Sequence, residues 1–165
     1  MRVPSPYPLP KGEGKYLSRS EPETQALGAK LGAAARAGDV LTLEGPLGSG
    51  KTTFTQGFAR GAGFRGSVVS PSFGLARRYR FRGKTIHHLD LYRVGDRDLP
   101  NLGLEEYFDD PAAVCVVEWP EAAAAELPAD RLRVRFAHAS ESARRLRLSA
   151  SGPRSRRLLG AARKP

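Results

Sequence analysis

The order of apolar runs and glycine signals predicts a single α/β domain of three layers, with a central, mainly parallel sheet flanked by antiparallel strands. Three observations carry this. A short apolar run, Val40–Glu44, leads straight into Gly45-Pro46-Leu47-Gly48-Ser49-Gly50 and then into a helix-compatible stretch from Lys51 to Arg60. A second apolar run, Ala113–Glu118, also ends in an acid. Around them lie four strand-like segments, Leu75–Phe81, Lys84–Leu91, Arg131–Phe136 and Arg145–Ser149.

Residues 1–16 are rich in Pro and Gly and read as a disordered arm. Ser20 followed by Glu23 has capping-box spacing. The helix it starts carries Leu27, Leu31, Ala34 and Ala35 on one face and stops at Gly38. The helix from Lys51 closes at Gly61 and Gly63. Ser67–Ser72 forms a loop around Pro71, and Arg82-Gly83 makes the tight turn of a hairpin. Arg97–Phe108 predicts an irregular helix, and Glu121–Glu126 one or two helical turns. Arg131–Phe136 and Arg145–Ser149 alternate as antiparallel edge strands do. The domain therefore spans 17–149, and 150–165 is a basic tail, with at most a short helix at its end.

The 165 residues are 40% hydrophobic and 27% charged, which suits one globular domain. Cys115 is the only cysteine, so no intramolecular disulfide forms, and a reducing, cytoplasmic setting is expected. Cys115 itself reads as a small buried apolar residue. No apolar run of about 18 residues appears, so no membrane span is expected. The net charge of +10 favours nucleic acid or an acidic partner. Eight Arg or Lys and no acid lie between Arg144 and Lys164, so the tail is either a solvated block or a weak attractor of RNA.

Gly45 to Thr52 fits G-x-x-x-x-G-K-[ST] at every fixed position. Backbone N–H groups in such a loop surround a phosphate, and side chains at the glycines would block its approach. The helix that follows adds the positive end of its dipole. Lys51 is placed to reach the β- and γ-phosphates, and the Thr52 hydroxyl to sit on Mg²⁺. The expected architecture is therefore P-loop NTPase-like, with the strand before the loop at the centre of the sheet.

A magnesium ion in this setting needs a carboxylate at the end of a neighbouring strand. Asp90 and Glu118 both have that form, and spacing does not rank them. His88 shares a strand face with Asp90 and is either its orienting partner or a structural residue. His87 and His138 read as structural or exposed. Trp119 follows Glu118 and packs near the nucleotide or the sheet end. Ser72, within Ser70-Pro71-Ser72-Phe73, either contacts a phosphate or only shapes a turn.

Four segments agree with one family: Leu47–Phe54, Ser70–Phe73, His88-Leu89-Asp90-Leu91-Tyr92-Arg93 and Val117-Glu118-Trp119-Pro120. Over about residues 20–136 the chain resembles the TsaE (YjeE) family, the ATPases of bacterial tRNA threonylcarbamoyladenosine synthesis. The resemblance implies an ATP- and Mg²⁺-dependent switch that joins TsaB and TsaD and touches tRNA only indirectly. It implies Thr52 and Glu118 as magnesium ligands, and Lys51, Asp90 and Glu118 as the catalytic set. The glycine loop itself gives nucleotide contacts from Gly45, Leu47, Gly48, Ser49, Gly50, Lys51, Thr52 and Thr53, with Leu47 and Ser49 either in contact or only shaping the loop, and Ser72 and Trp119 are the further candidates. The chain departs from the family at Ser72, where Thr is usual, and at Gly74, where a second Thr often stands.

A small-molecule P-loop kinase is the alternative, with Arg77, Arg78, Arg80 and Arg82 as its lid. Their alternation within a hairpin suits a solvated strand face better. A guanine-specific GTPase is excluded by its missing Asn-Lys-x-Asp loop, since Asn101 is the only asparagine. A nonenzymatic RNA-binding module leaves the glycine loop unexplained and lacks spaced aromatic platforms.

Overall fold

The computed structural model of the chain describes residues 12–71 and 74–163. Seven strands form one sheet in the order β1-β7-β6-β2-β5-β4-β3. They are β1 (Glu13–Ser18), β2 (Val40–Glu44), β3 (Ala76–Phe81), β4 (Lys84–Asp90), β5 (Ala113–Glu118), β6 (Leu132–His138) and β7 (Arg144–Ala150). β6, β2, β5 and β4 run parallel, with β7 antiparallel on one flank and β3 on the other. The strand before the glycine loop is thus central, as the sequence predicts.

Helices α1 (Glu21–Ala34), α2 (Lys51–Ala62) and α4 (Pro153–Arg163) cover one face. Their Leu27, Leu31, Phe54, Phe58, Leu158 and Leu159 share a core with Leu41, Val116, Val134 and Leu148 of the sheet. The other face is covered over β4 and β5 by α3 (Leu104–Phe108) and nearby 3-10 turns, around Leu89, Val117 and Leu104. Alternation along β5 decides the sides: Val114 and Val116 face α2, while Val117 faces the smaller cluster.

The capping box forms, with a shift. Ser20 Oγ accepts from the Glu23 N–H at 3.3 Å, while the Glu23 carboxylate accepts from Arg19 N–H at 2.8 Å rather than from the cap residue. Helix α1 stops at Ala34, and Gly38 serves a later turn at φ 88°. Gly28 and Gly32 of α1 meet Gly57 and Gly61 of α2 so closely that a Cβ at any of them would overlap a backbone carbonyl of the other helix. The contact fixes α2, and the loop before it, against α1.

Several boundaries differ from expectation. Residues 13–16, assigned to the arm, belong to β1, which pairs with β7 from Glu13↔Ser149 to Ser18↔Arg144. Its partner lies far along the chain, so local composition carries no sign of it. Residues 1–11 of the expected arm lie outside the described residues. The tail from 150 includes α4, whose Leu158 and Leu159 are buried in the main core. Its arginines masked a short apolar stripe. β6 and β7 are not edge strands, because β6 lies between β2 and β7, and β1 covers β7. Arg97–Phe108 breaks into a 3-10 turn at Leu99–Asn101 and α3, parted by Gly103 at φ 57°. Pro120–Ala123 is a 3-10 turn.

Candidate functional site

The loop from Gly45 to Gly50 bridges the C-terminal end of β2 and the start of α2. Gly48 at φ 71° and Gly50 at φ 100° are left-handed, a shape that side-chain-bearing residues adopt only at a cost. A Cβ at Gly48 would meet nothing within 4 Å, so the loop is open there. A cleft of about 920 Å³ lies over it, a size that suits a nucleotide.

Lys51 is buried, and its Nζ donates to the carbonyls of Gly45 at 2.7 Å and Pro46 at 3.0 Å. The ammonium also lies 3.9 Å from the centre of the Trp119 ring. Desolvation pulls the Lys51 pKa below its ordinary value, while Glu118, Glu121 and Asp90 push it back up. An amine desolvated yet faced by three acids suits a group that pairs with polyphosphate.

Parallel pairing sets Leu43, Glu118 and Asp90 side by side at the ends of β2, β5 and β4. Glu118 is 2% exposed. The Thr52 hydroxyl donates to its two oxygens at 3.2 and 3.3 Å, and the Thr55 hydroxyl reaches it at 3.4 Å. His88 Nε2 lies 2.8 Å from Glu118 Oε1. His88 therefore partners the acid of the next strand and not Asp90, although both share a strand face. Its Nδ1 is buried without a partner among the described residues, so the ring works as a one-sided clamp.

Asp90 is held separately. Its Oδ2 accepts from Ser70 Oγ at 2.6 Å and its Oδ1 from Tyr92 N–H at 3.0 Å. Thus Glu118 is the acid in contact with Thr52, and Asp90 stands one strand away. Trp119 takes a left-handed backbone at φ 55° and stacks on Tyr92 at 4.7 Å. A bulky residue in that region stores roughly 1–3 kcal/mol of strain. The turn carries the chain away directly after Glu118 and sets the indole over Lys51.

The cleft brings together Leu47, Gly48, Ser49, Gly50, Lys51, Thr52, Thr53, Asp90, Glu118 and Trp119. Gly45 is not in its wall and acts through the carbonyl that holds Lys51. Ser72 lies outside the described residues. Hard oxygen donors at Thr52 and Glu118, with Asp90 nearby, fit Mg²⁺ shared with phosphate oxygens. No cluster of three or more His, Cys, Asp or Glu suited to a metal occurs among the described residues, which leaves no all-protein cage.

Other wall residues carried no signal of a site in the sequence. Ser20, read there only as a helix cap, and Thr24 come from the start of α1, and Arg144 of β7 donates through Nη2 to Gly48 O at 3.4 Å. Only folding brings Arg144 to a loop 96 residues earlier. Ser70 belonged to a quoted motif, yet its bond to Asp90 required coordinates. His87 lies elsewhere, fully buried on Asp110 at 2.7 Å, and His138 is exposed at the end of β6. Cys115 is buried, with its thiol donating to Tyr107 O at 2.8 Å and pushed up to about 12, by burial first and then by Asp110.

A family model described as "Threonylcarbamoyl adenosine biosynthesis protein TsaE" matches residues 18–146. The chain is 41% identical over 140 residues to the tRNA threonylcarbamoyladenosine biosynthesis protein TsaE of Bacillus subtilis, covering 85% of this chain and 87% of that protein. It is 39% identical over 148 residues to the protein of that name from Mycobacterium tuberculosis H37Rv, covering 84% and 86%. The crystal structure of Bacillus subtilis YdiB superposes with a TM-score of 0.79 at 36% identity, over 91% of this chain and 93% of that one. With the matched segment running from β1 into β7 and enclosing the whole cleft, the chain belongs to the TsaE family.

Proposed function

We propose that this chain is a P-loop ATPase that binds ATP with Mg²⁺ in the cleft and supports cytoplasmic tRNA threonylcarbamoyladenosine formation together with TsaB and TsaD. The observation that carries the reading is the contact of Thr52 with Glu118 at the mouth of a glycine loop. A hydroxyl and a buried carboxylate converge there on one point, beside an ammonium already desolvated.

Magnesium, when bound, neutralises charge on the β- and γ-phosphate oxygens. Each residue then has a definite task. The amides from Gly48 to Thr52, with the start of α2, hold phosphate. Lys51 exchanges its carbonyl partners on Gly45 and Pro46 for phosphate oxygens. Thr52 and Glu118, now bonded to each other, would hold the metal. His88 keeps the Glu118 carboxylate turned toward Thr52. Ser70 and the Tyr92 N–H keep Asp90 aimed along the strand mouth, where it can orient water. Trp119 shields Lys51 from solvent.

The family name ties the chain to tRNA modification, and the TsaB and TsaD partnership follows from the resemblance. Reconstitution tests the reading. With cognate TsaB and TsaD, modified tRNA is expected to accumulate over many turnovers only when this protein and ATP are both present. Accumulation without either would sink it. Transfer of the γ-phosphate to a small acceptor instead of water would favour the kinase.

A further inference from the structure

The face of the sheet turned away from α1, α2 and α4 is covered only over β4 and β5. On β1, β7 and β6 that face is open among the described residues. Alternation buries Leu146, Leu148, Val134 and Phe136, and turns Arg145, Arg147, Arg133 and Arg135 outward. Register sets Lys15, Arg147 and Arg135 in one transverse row that ends at Glu44.

Like charges directly opposite in a sheet are destabilising. The Lys15–Arg147–Arg135 row therefore opposes folding, and the fold offsets it only in part. Glu44 holds Arg133 Nε at 2.8 Å and Arg135 Nε at 3.0 Å, and Glu13 holds Arg147 Nη2 at 2.9 Å. These contacts fix guanidinium planes without neutralising the face, since five basic side chains meet two acids. Arg135 and Arg147 keep 54% and 51% of their side chains exposed, and Arg145 and Lys15 are exposed with no ion-pair partner among the described residues.

The geometry selects the occupant. Cations stand two residues, about 7 Å, apart along β6 (Arg133 and Arg135) and along β7 (Arg145 and Arg147), and about 4.8 Å from strand to strand in the Lys15–Arg147–Arg135 row. That grid, made largely of arginine forks, suits a regular polyanion read through its phosphates. A protein interface would need an apolar or aromatic centre, and among the described residues the only large apolar side chain exposed on this face is Leu17, at 40%. No aromatic side chain among the described residues lies on the face to stack on bases, so contact is to backbone and independent of sequence.

We propose that the arginine face of β1, β7 and β6 docks the phosphate backbone of folded RNA, a direct contact by this chain. The choice of RNA over DNA rests on the proposed role in tRNA modification, but the charge geometry does not. The full-length protein is titrated with bulk tRNA, and with equal-charge duplex DNA and polyglutamate as competitors, while ATP affinity is read on the same samples. Arg145→Ala/Arg147→Ala is expected to weaken tRNA binding about tenfold near 50 mM salt, and to flatten the log–log salt slope by about 1 to 2. Arg154→Ala/Arg156→Ala on α4 is expected to leave both unchanged, and all variants to keep ATP affinity. Unchanged tRNA binding by the β7 variant, equal loss in the α4 variant, or equal competition by polyglutamate would each overturn the docking surface, and equal competition by duplex DNA would overturn RNA as its occupant. Absent ATP binding with tRNA retention intact would instead overturn the ATPase reading alone.

Discussion

Lys51 and Glu118 have different kinds of burial, and their substitutions should fail differently. Lys51 is a desolvated amine whose Nζ donates to two carbonyls and, at 3.5 Å, to the Ser49 hydroxyl, beneath an indole face. Replacing it with Ala removes the charge that pairs with polyphosphate, so ATP affinity should fall by roughly a hundredfold or more, a loss of about 3 kcal/mol or greater. Equilibrium titration with a fluorescent ATP analogue checks this, and retained affinity would refute the role. Glu118 instead holds Thr52 and His88. Glu118→Gln keeps the shape and loses the charge. Nucleotide should still bind, while kcat in the reconstituted system falls about a hundredfold. Full turnover in that variant would move the metal role to Asp90. The sequence could nominate both acids, because each ends an apolar strand. It could not rank them from spacing, because the ranking depends on which strand end the Thr52 hydroxyl meets.

At the scale of elements, two contacts decide whether the cleft is built. Gly32 lies where a Cβ would overlap the Phe58 carbonyl of α2. Gly32→Ala must push the helices apart, which costs about 1–3 kcal/mol by overpacking. A lower urea midpoint with unchanged slope is the expected result. The second contact caps α4. Asp130 accepts from the Arg154 and Ser155 N–H groups and from the Ser155 hydroxyl. Burial raises its pKa, but the bonds from Ser155 and Arg154 outweigh that and hold it below the usual aspartate range. With the folded value depressed, the stabilisation is complete above the unfolded value and disappears as pH falls through the folded one. Asp130→Asn should cost about 1 kcal/mol at neutral pH, as lost caps do. It should also flatten the acid limb of the stability curve below about pH 4, where the wild type loses this contribution. Identical acid limbs in the two proteins would exclude the cap as the cause. Neither contact shows in a linear reading: Gly61 reads as a helix end, whereas α2 runs on to Ala62 and caps at Gly63, and nothing local marks Asp130.

For the whole molecule, α4 closes the main core with Leu158, Leu159 and Ala162. Leu→Ala at one such site typically costs 2–5 kcal/mol, a large share of roughly 5–15 kcal/mol for a domain. Removing residues 153–163 should therefore abolish cooperative thermal unfolding instead of trimming an inert tail. A sharp transition near the wild-type midpoint in the shortened chain would show that α4 is dispensable.

The sequence alone determined the central strand, the glycine loop, the helix after it and the acid-ended strands, because periodicity and turn chemistry are local. The tertiary structure alone decided that β1 belongs to the sheet, that α4 belongs to the core, that His88 serves Glu118, and that the arginines of β6 and β7 share one open face. Each of those depends on pairing between residues distant along the chain, and such pairing is set by the free energy of burying the whole, which no short window of residues contains.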